Sequence, residues 1–178
     1  GSALASAGPL LLTGPDRLDG RVAAVLAELL QDGADVRLLG GTAALAAQVE
    51  DDVRALGFVP RRIAGPTRIE TAVAVATTVE QLIGTPDRSL LARAFRPATA
   101  PPSASAAALG ASSAAALHGW PILLTDGAAL HPATSEWLGN HADGRPISVL
   151  GGAAALSAAV EGALPTDSPI GRIGGATR

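Results

Sequence analysis

Residues 39–50 read LGGTAALAAQVE, and residues 150–161 read LGGAAALSAAVE. Nine of these twelve positions are identical, at an offset of 111 residues. Two further matches flank the pair in the same order. Pro9-Leu10-Leu11-Leu12-Thr13 returns as Pro121-Ile122-Leu123-Leu124-Thr125 at an offset of 112, and Arg62-Ile63-Ala64-Gly65-Pro66-Thr67-Arg68 returns as Arg172-Ile173-Gly174-Gly175-Ala176-Thr177-Arg178 at 110. An Ala-rich chain can mimic the middle match by chance, but not three matches in register. Self-similarity at a fixed period marks a duplicated structural unit. The expected division is the back half of one repeat over residues 1–60, a complete repeat over 61–171, and the opening motif of a third over 172–178. More copies are expected in a parent protein.

Within each copy the pattern alternates strand and helix. Residues 10–13 and 36–39 are short apolar runs bounded by Gly, Pro and Asp, as buried parallel strands are. Between them Val22, Val25, Leu26, Leu29 and Leu30 recur at helical spacing, and Gly33 stops the helix. Leu45, Val49, Val53 and Leu56 mark a second helix ending near Gly57, with Glu50 and Arg54 paired on its outer face. Residues 62–64 read as the next strand. Thr67 followed by Glu70 is a capping box opening a helix whose apolar side is Ile69, Ala72, Val73 and Ala76. Residues 89–95 read as a strand, 97–105 as a loop, 106–117 as a small-residue helix and 121–125 as a strand. The order then repeats to Ile173. Such alternation predicts α/β units with a parallel sheet, arranged as tandem repeats.

Composition excludes much chemistry. The chain has 178 residues and is 48% hydrophobic but only 2% aromatic, so its core must be aliphatic. There is no Lys, and therefore no Walker A loop and no Schiff base. There is no Cys, hence no thiol nucleophile, disulfide or thiolate metal site. A net charge of −3, with no basic stripe interleaved with aromatics, argues against a nucleic-acid partner. No apolar run is long enough to span a bilayer. Arg-only, Ala-rich usage suggests a GC-rich genome. With no Met and no visible signal peptide, the chain reads as a fragment.

The order R-I-x-G-x-x-R-x-x-T-A, then P-[IL]-L-L-T, then L-G-G-x-A-A-[LV]-S resembles the cell wall-binding repeat 2 family of Gram-positive bacteria over essentially the whole chain. The resemblance implies Rossmann- or Toprim-like units, usually three, that anchor surface proteins and wall enzymes non-covalently. It also implies an extracellular location at the wall and a partner that is an anionic, teichoic-acid-like glycopolymer. The family's I-L-L motif, implicated in anchoring, falls on Leu10, Leu11 and Leu12 and on Ile122, Leu123 and Leu124. Two departures stand out. Thr67 and Thr177 replace the family's Asp or Asn, though all three are good helix caps. In the F-P-D-A-L signature Ala107 replaces the Asp, so a contact needing that carboxylate is lost.

Candidate ligand residues are Arg62, Arg68 and Thr71, echoed by Arg172 and Arg178, together with the two aliphatic triplets. A guanidinium fork grips phosphate or carboxylate, and the helix start beyond Thr67 adds free N–H groups. The competing reading for these Arg residues is a salt bridge that packs repeats together; for the triplets it is a plain core strand. Gly40-Gly41 and Gly151-Gly152 lack a G-x-G-x-x-G context and suit tight turns better than nucleotides. His118, His131 and His141 match no metal-ligand spacing. Gly110 to Ala114 is not a nucleophile elbow. Glu50-Asp51-Asp52 reads as a solvated face, and Trp120 and Trp137 as packing residues. The reading is thus a non-catalytic wall-polymer module without a cofactor, drawing on several weak sites. The alternatives are an extracytoplasmic protein–protein scaffold and an enzyme, which the missing Lys, Cys and Tyr disfavour. Apolar surface on the half repeat predicts self-association.

Overall fold

A computed structural model describes residues 8–95 and 110–174. The first copy supplies α1 (Gly20–Leu29), β1 (Asp35–Leu39), α2 (Ala47–Ala55) and β2 (Val59–Ile63). The second supplies α3 (Arg68–Ile83), β3 (Ser89–Arg93), α4 (Ser112–His118), β4 (Ile122–Thr125), α5 (Pro132–His141), β5 (Ile147–Leu150), α6 (Ala158–Gly162) and β6 (Ile170–Ile173). All ladders among these strands are parallel. One sheet has the order β4-β3-β5-β6, and the other is the pair β1-β2. The α/β class with parallel sheets and repeated units, expected from the sequence, therefore holds.

The repeat is conserved down to hydrogen-bond register. Val36, Arg37, Leu38 and Leu39 face Pro60, Arg61, Arg62 and Ile63, just as Ile147, Ser148, Val149 and Leu150 face Ile170, Gly171, Arg172 and Ile173. After each strand a glycine with positive φ, Gly40 at 123° or Gly151 at 97°, turns the chain toward α2 or α6. A side chain there would be strained, which explains why glycine opens the L-G-G motif.

Burial follows the sheet order. Every residue of β5 is buried, and so are four of five in β3, as expected for strands covered on both faces. Leu91, Leu123, Leu138, Ile147, Val149, Leu156 and Val160 form the second core, with Ala76 from α3. Trp137 joins it, and its indole N–H donates to Thr77 Oγ1 at 3.2 Å, so no polar group is stranded. The first core repeats several of these positions: Leu26, Leu38, Val49 and Val53 are buried, with Leu11 and Leu45 partly so. Helix α3 is the shared wall. Its Val75 and Val79 pack on Ile63 of β2 and Leu39 of β1, while Ala76 faces the second core. The predicted capping box is present: Thr67 Oγ1 accepts from Ile69 N–H, and Glu70 accepts from Thr67 N–H.

Three expectations need correction. Residues 10–13 do not form a strand, and Leu10 and Leu12 are 48% and 87% exposed. Their counterpart β4 ladders with β3 alone, and no strand among the described residues takes that place beside residues 10–13. The acidic run is not simply solvated. Glu50 bridges to Arg62 and Arg54, and Asp52 accepts the N–H of Leu18. Strand β2 starts three residues before the apolar pattern suggested, because the β1 ladder recruits Val59-Pro60-Arg61. The expected 97–105 loop and Ala107 lie outside the described residues.

Candidate functional site

Arg62 and Arg172 occupy equivalent strands and do equivalent work. Arg62 Nε donates to Glu50 at 2.5 Å and Nη1 to the carbonyl of Gly40 at 2.7 Å. Arg172 Nε donates to Glu161 at 2.8 Å and Nη1 to Gly151 O at 2.7 Å. Each guanidinium thus ties the last turn of the unit to the helix behind it. Arg172 makes one more bond, from Nη2 to Leu156 O at 2.8 Å, whereas Arg62 Nη2 is enclosed without a partner among the described residues. Both bridges join an acid near the end of one repeat, as divided from the sequence, to the arginine in the opening motif of the next. The hydrogen bond from Arg62 holds the Glu50 carboxyl below its ordinary range.

Arg68 is different. It is the first residue of α3, and its guanidinium lies 4.9 Å from the Phe95 ring centre and donates to Ala94 O at 3.3 Å. Among the described residues no carboxylate pairs with it. Thr71 does not face outward as a ligand group would. Its hydroxyl donates to Thr67 O at 2.8 Å and accepts from Gly65 N–H at 3.0 Å. Gly65 must be glycine, because a Cβ there would lie 2.4 Å from Glu70 Cβ. Arg178 lies outside the described residues. Leu123 is fully buried, and Ile122 and Leu124 pack on Leu90 and Ala92, so this triplet is a core strand. Leu10, Leu11 and Leu12 instead line an open groove.

The residue that sequence reasoning missed is Arg93. It ends β3, between β4 and β5, where the connections through α4 and α6 leave the sheet in opposite directions. Parallel α/β sheets place ligands at such a switch point, outside the carboxyl ends of the strands. Arg93 Nη1 donates to Ala154 O at 3.0 Å, and no described residue partners its buried Nε. A Cβ at Gly127 would come within 2.6 Å of the guanidinium, so Gly127 makes room for it. A lone Arg at the end of an apolar strand was the available signal. Glu70 lies beside this end, its carboxyl lowered first by the Thr67 hydroxyl and further by His131, 3.8 Å away.

The three histidines serve separate places. His118 stacks on Trp120, His131 Nδ1 caps α5, and His141 stacks on Trp137 and meets Glu80 at 2.6 Å. Among the described residues no group of three His, Cys, Asp or Glu side chains could hold a metal ion. No helix among them is long and apolar enough to cross a membrane.

Repeated parallel α/β units, with arginines at strand ends serving mostly as internal ties, define a tandem-repeat α/β module. The model of cell wall binding domain 2 (CWB2) matches residues 62–161, more than half of the chain, and the chain belongs to that family. Its place is accordingly extracellular, at the cell wall. Among curated proteins it is similar to N-acetylmuramoyl-L-alanine amidase LytC of Bacillus subtilis (strain 168), 29% identical over 170 residues. That alignment covers 96% of this chain and 31% of the amidase. The amidase enhancer of the same organism is 26% identical over 172 residues, covering 96% of this chain and 21% of that protein. The chain thus spans under a third of either relative. Among solved structures, Cwp6 from Clostridium difficile superposes with a TM-score of 0.84 at 22% identity, covering 98% of this chain and 27% of that one. Cwp8 from Clostridium difficile gives 0.79 at 24% identity, covering 99% of this chain and 28% of that one. These two likenesses share the fold.

Proposed function

We propose that this wall-binding domain grips an anionic glycopolymer non-covalently, at the carboxyl end of the second sheet. The observation carrying this reading is the pair Arg68 and Arg93. Both guanidiniums sit at the end of β3 without an ion-paired carboxylate among the described residues, next to the N-terminal turn of α3. A guanidinium without an acid partner keeps donors for a phosphate or carboxylate, and the helix start adds a positive dipole end. Arg62, Arg172 and Thr71 contribute by fixing the turns that frame such ends. Arg178 would repeat the role of Arg68 in the next unit. Each site alone is weak, and linked copies raise apparent affinity without any stronger contact. Ile122-Leu123-Leu124 supports anchoring as a sheet element rather than as a polymer contact, while Leu10-Leu11-Leu12 lines an open groove.

The test is co-sedimentation with purified cell walls at low and high salt. Retention should fall steeply with salt, because exposed charge contacts are screened within about 8 Å at physiological ionic strength. Arg68→Gln and Arg93→Gln should each weaken it while circular dichroism stays unchanged. Salt-independent retention, or full retention by the double variant, rejects the reading.

A further inference from the structure

The cap of α5 is an uncommon choice of residue. Helix N-caps are drawn mostly from Asp, Asn, Ser and Thr, whose side-chain oxygens accept a backbone N–H. The first copy follows that preference: Asp19 caps α1 and accepts the N–H of Arg21 at 2.8 Å. The repeat offset of 112 turns Asp19 into His131, which does the same work with a ring nitrogen. Its Nδ1 accepts the N–H of Ala133 at 3.3 Å. Its backbone N–H donates to Thr125 Oγ1, as that of Asp19 does to Thr13 Oγ1. An Nδ1 that accepts carries no proton, which leaves the ring's one proton on Nε2. That Nε2 lies 3.8 Å from Glu70 Oε1.

Position gives the pair its meaning. Thr125 is the ladder partner of Arg93, so His131 stands at the same end of the sheet as Arg68 and Arg93. Helix α3 brings Arg68 and Glu70 there, β3 brings Arg93, and the turn after β4 brings the exposed Asp126. Arg172 and Glu161 are paired with each other. Glu136 is exposed, five residues on from His131 and on another side of α5. Two arginines thus meet two carboxylates, and among the described residues this end has no surplus of positive charge. Glu70 stays ionised, because the Thr67 hydroxyl above all holds its carboxyl below the ordinary range. Histidine is the side chain whose charge changes between about pH 5 and 8, so His131 is the group that can alter the balance.

We propose that protonation of His131 strengthens anion binding at the carboxyl end of the second sheet. The added charge offsets Glu70 and leaves this end net positive. The proton taken up by Nδ1 also frees the N–H of Ala133, at the positive start of α5, for an anionic acceptor. The inference rests on the polymer reading for its natural ligand and names the condition that regulates the same site. Where a proton and an anion favour one another, each tightens the other's binding equally. Affinity should therefore rise as the medium passes from about pH 7.5 to about pH 5.5.

The probe is sulfate, whose charge is the same throughout that window. It is titrated into the isotope-labelled chain at constant ionic strength and read by NMR at the Arg68 and Arg93 Nε–H and Ala133 N–H signals. Tightening of about threefold or more is expected at the acid end, the scale of one added charge in partly solvated surroundings. His131→Asn keeps a good cap without a titrating ring, and should bind sulfate equally at both pH values. Glu70→Gln keeps a capping-box residue while removing the carboxylate, and should bind at the neutral end about as tightly as the parent chain does at the acid end. Equal sulfate affinity of the parent chain at both pH values, a pH response that survives in His131→Asn, or no sulfate shift at Arg68 and Arg93 at either pH overturns the proposal. Wall co-sedimentation at the same two pH values separates this inference from the reading beneath it. Salt-sensitive retention without a pH response to sulfate leaves the polymer grip standing and removes the switch. A pH response to sulfate with salt-independent retention keeps the switch and removes the polymer.

Discussion

Residues 10–13 and β4 have nearly the same sequence, Leu-Leu-Leu-Thr against Ile-Leu-Leu-Thr, and opposite fates. The second is a laddered strand whose Leu123 is fully buried; the first has no ladder partner among the described residues, and its Leu12 is exposed. Both are followed by the same Thr-anchored turn and a capped helix, so local chemistry is not the difference. The presence of β3 is. A β-strand has no hydrogen bonds of its own, and an apolar run becomes one only where a neighbour offers a ladder. The other end of the repeat teaches the same lesson. Ile63 is buried under Val75 and Val79 of α3, while its counterpart Ile173 is 60% exposed.

The sharpest way to break this comparison is to truncate equivalent leucines. Leu123→Ala should cost about 2–5 kcal/mol, the range for a buried Leu leaving a cavity. Leu11→Ala, in the open copy, should cost well under half of that, and urea denaturation would separate the two. Equal losses would mean that residues 10–13 are ordered as tightly as β4. A smaller effect is expected at the arginine ties. Arg172→Met should destabilise by about 1–3 kcal/mol, less than a fully buried pair because the side chain is 25% exposed. Arg62→Met should cost about 1 kcal/mol less, since among the described residues Arg62 makes one hydrogen bond fewer and its Nη2 has no partner. The smallest effect is confined to acid. Glu50's carboxyl is held below its ordinary value by Arg62, so its contribution is whole above the unfolded carboxylate pKa, 4.5, and is lost as pH falls through the lower folded value. Glu50→Gln should flatten that acid limb of the stability profile and leave its neutral limb sloping as before, as thermal melts across pH would show.

Much of this was legible beforehand because it depends on neighbours in sequence. The capping box at Thr67 and Glu70 is closed by atoms three residues apart, and the Glu50–Arg54 pair by atoms one turn apart. Periodicity and caps gave α1 and the start of α3 nearly to the residue, and β3 apart from its last two positions. The candidate site was less legible. Arg62 and Arg172 look like ligand groups in a list of motifs, yet their partners Glu50 and Glu161 lie a helix away, and only folding shows that the guanidiniums are occupied. Arg93 carried no motif at all; it matters because three strands end around it.

The chain's own letters settled the α/β class, the duplication and the family, since periodic apolar positions, caps and glycine turns are written locally and a repeat is written twice. Which apolar run becomes a strand, which arginine keeps a free donor and where the sheet stays open were settled in three dimensions. Those outcomes depend on contacts between segments far apart in the chain, and two nearly identical stretches differ when one has a laddered neighbour among the described residues and the other does not.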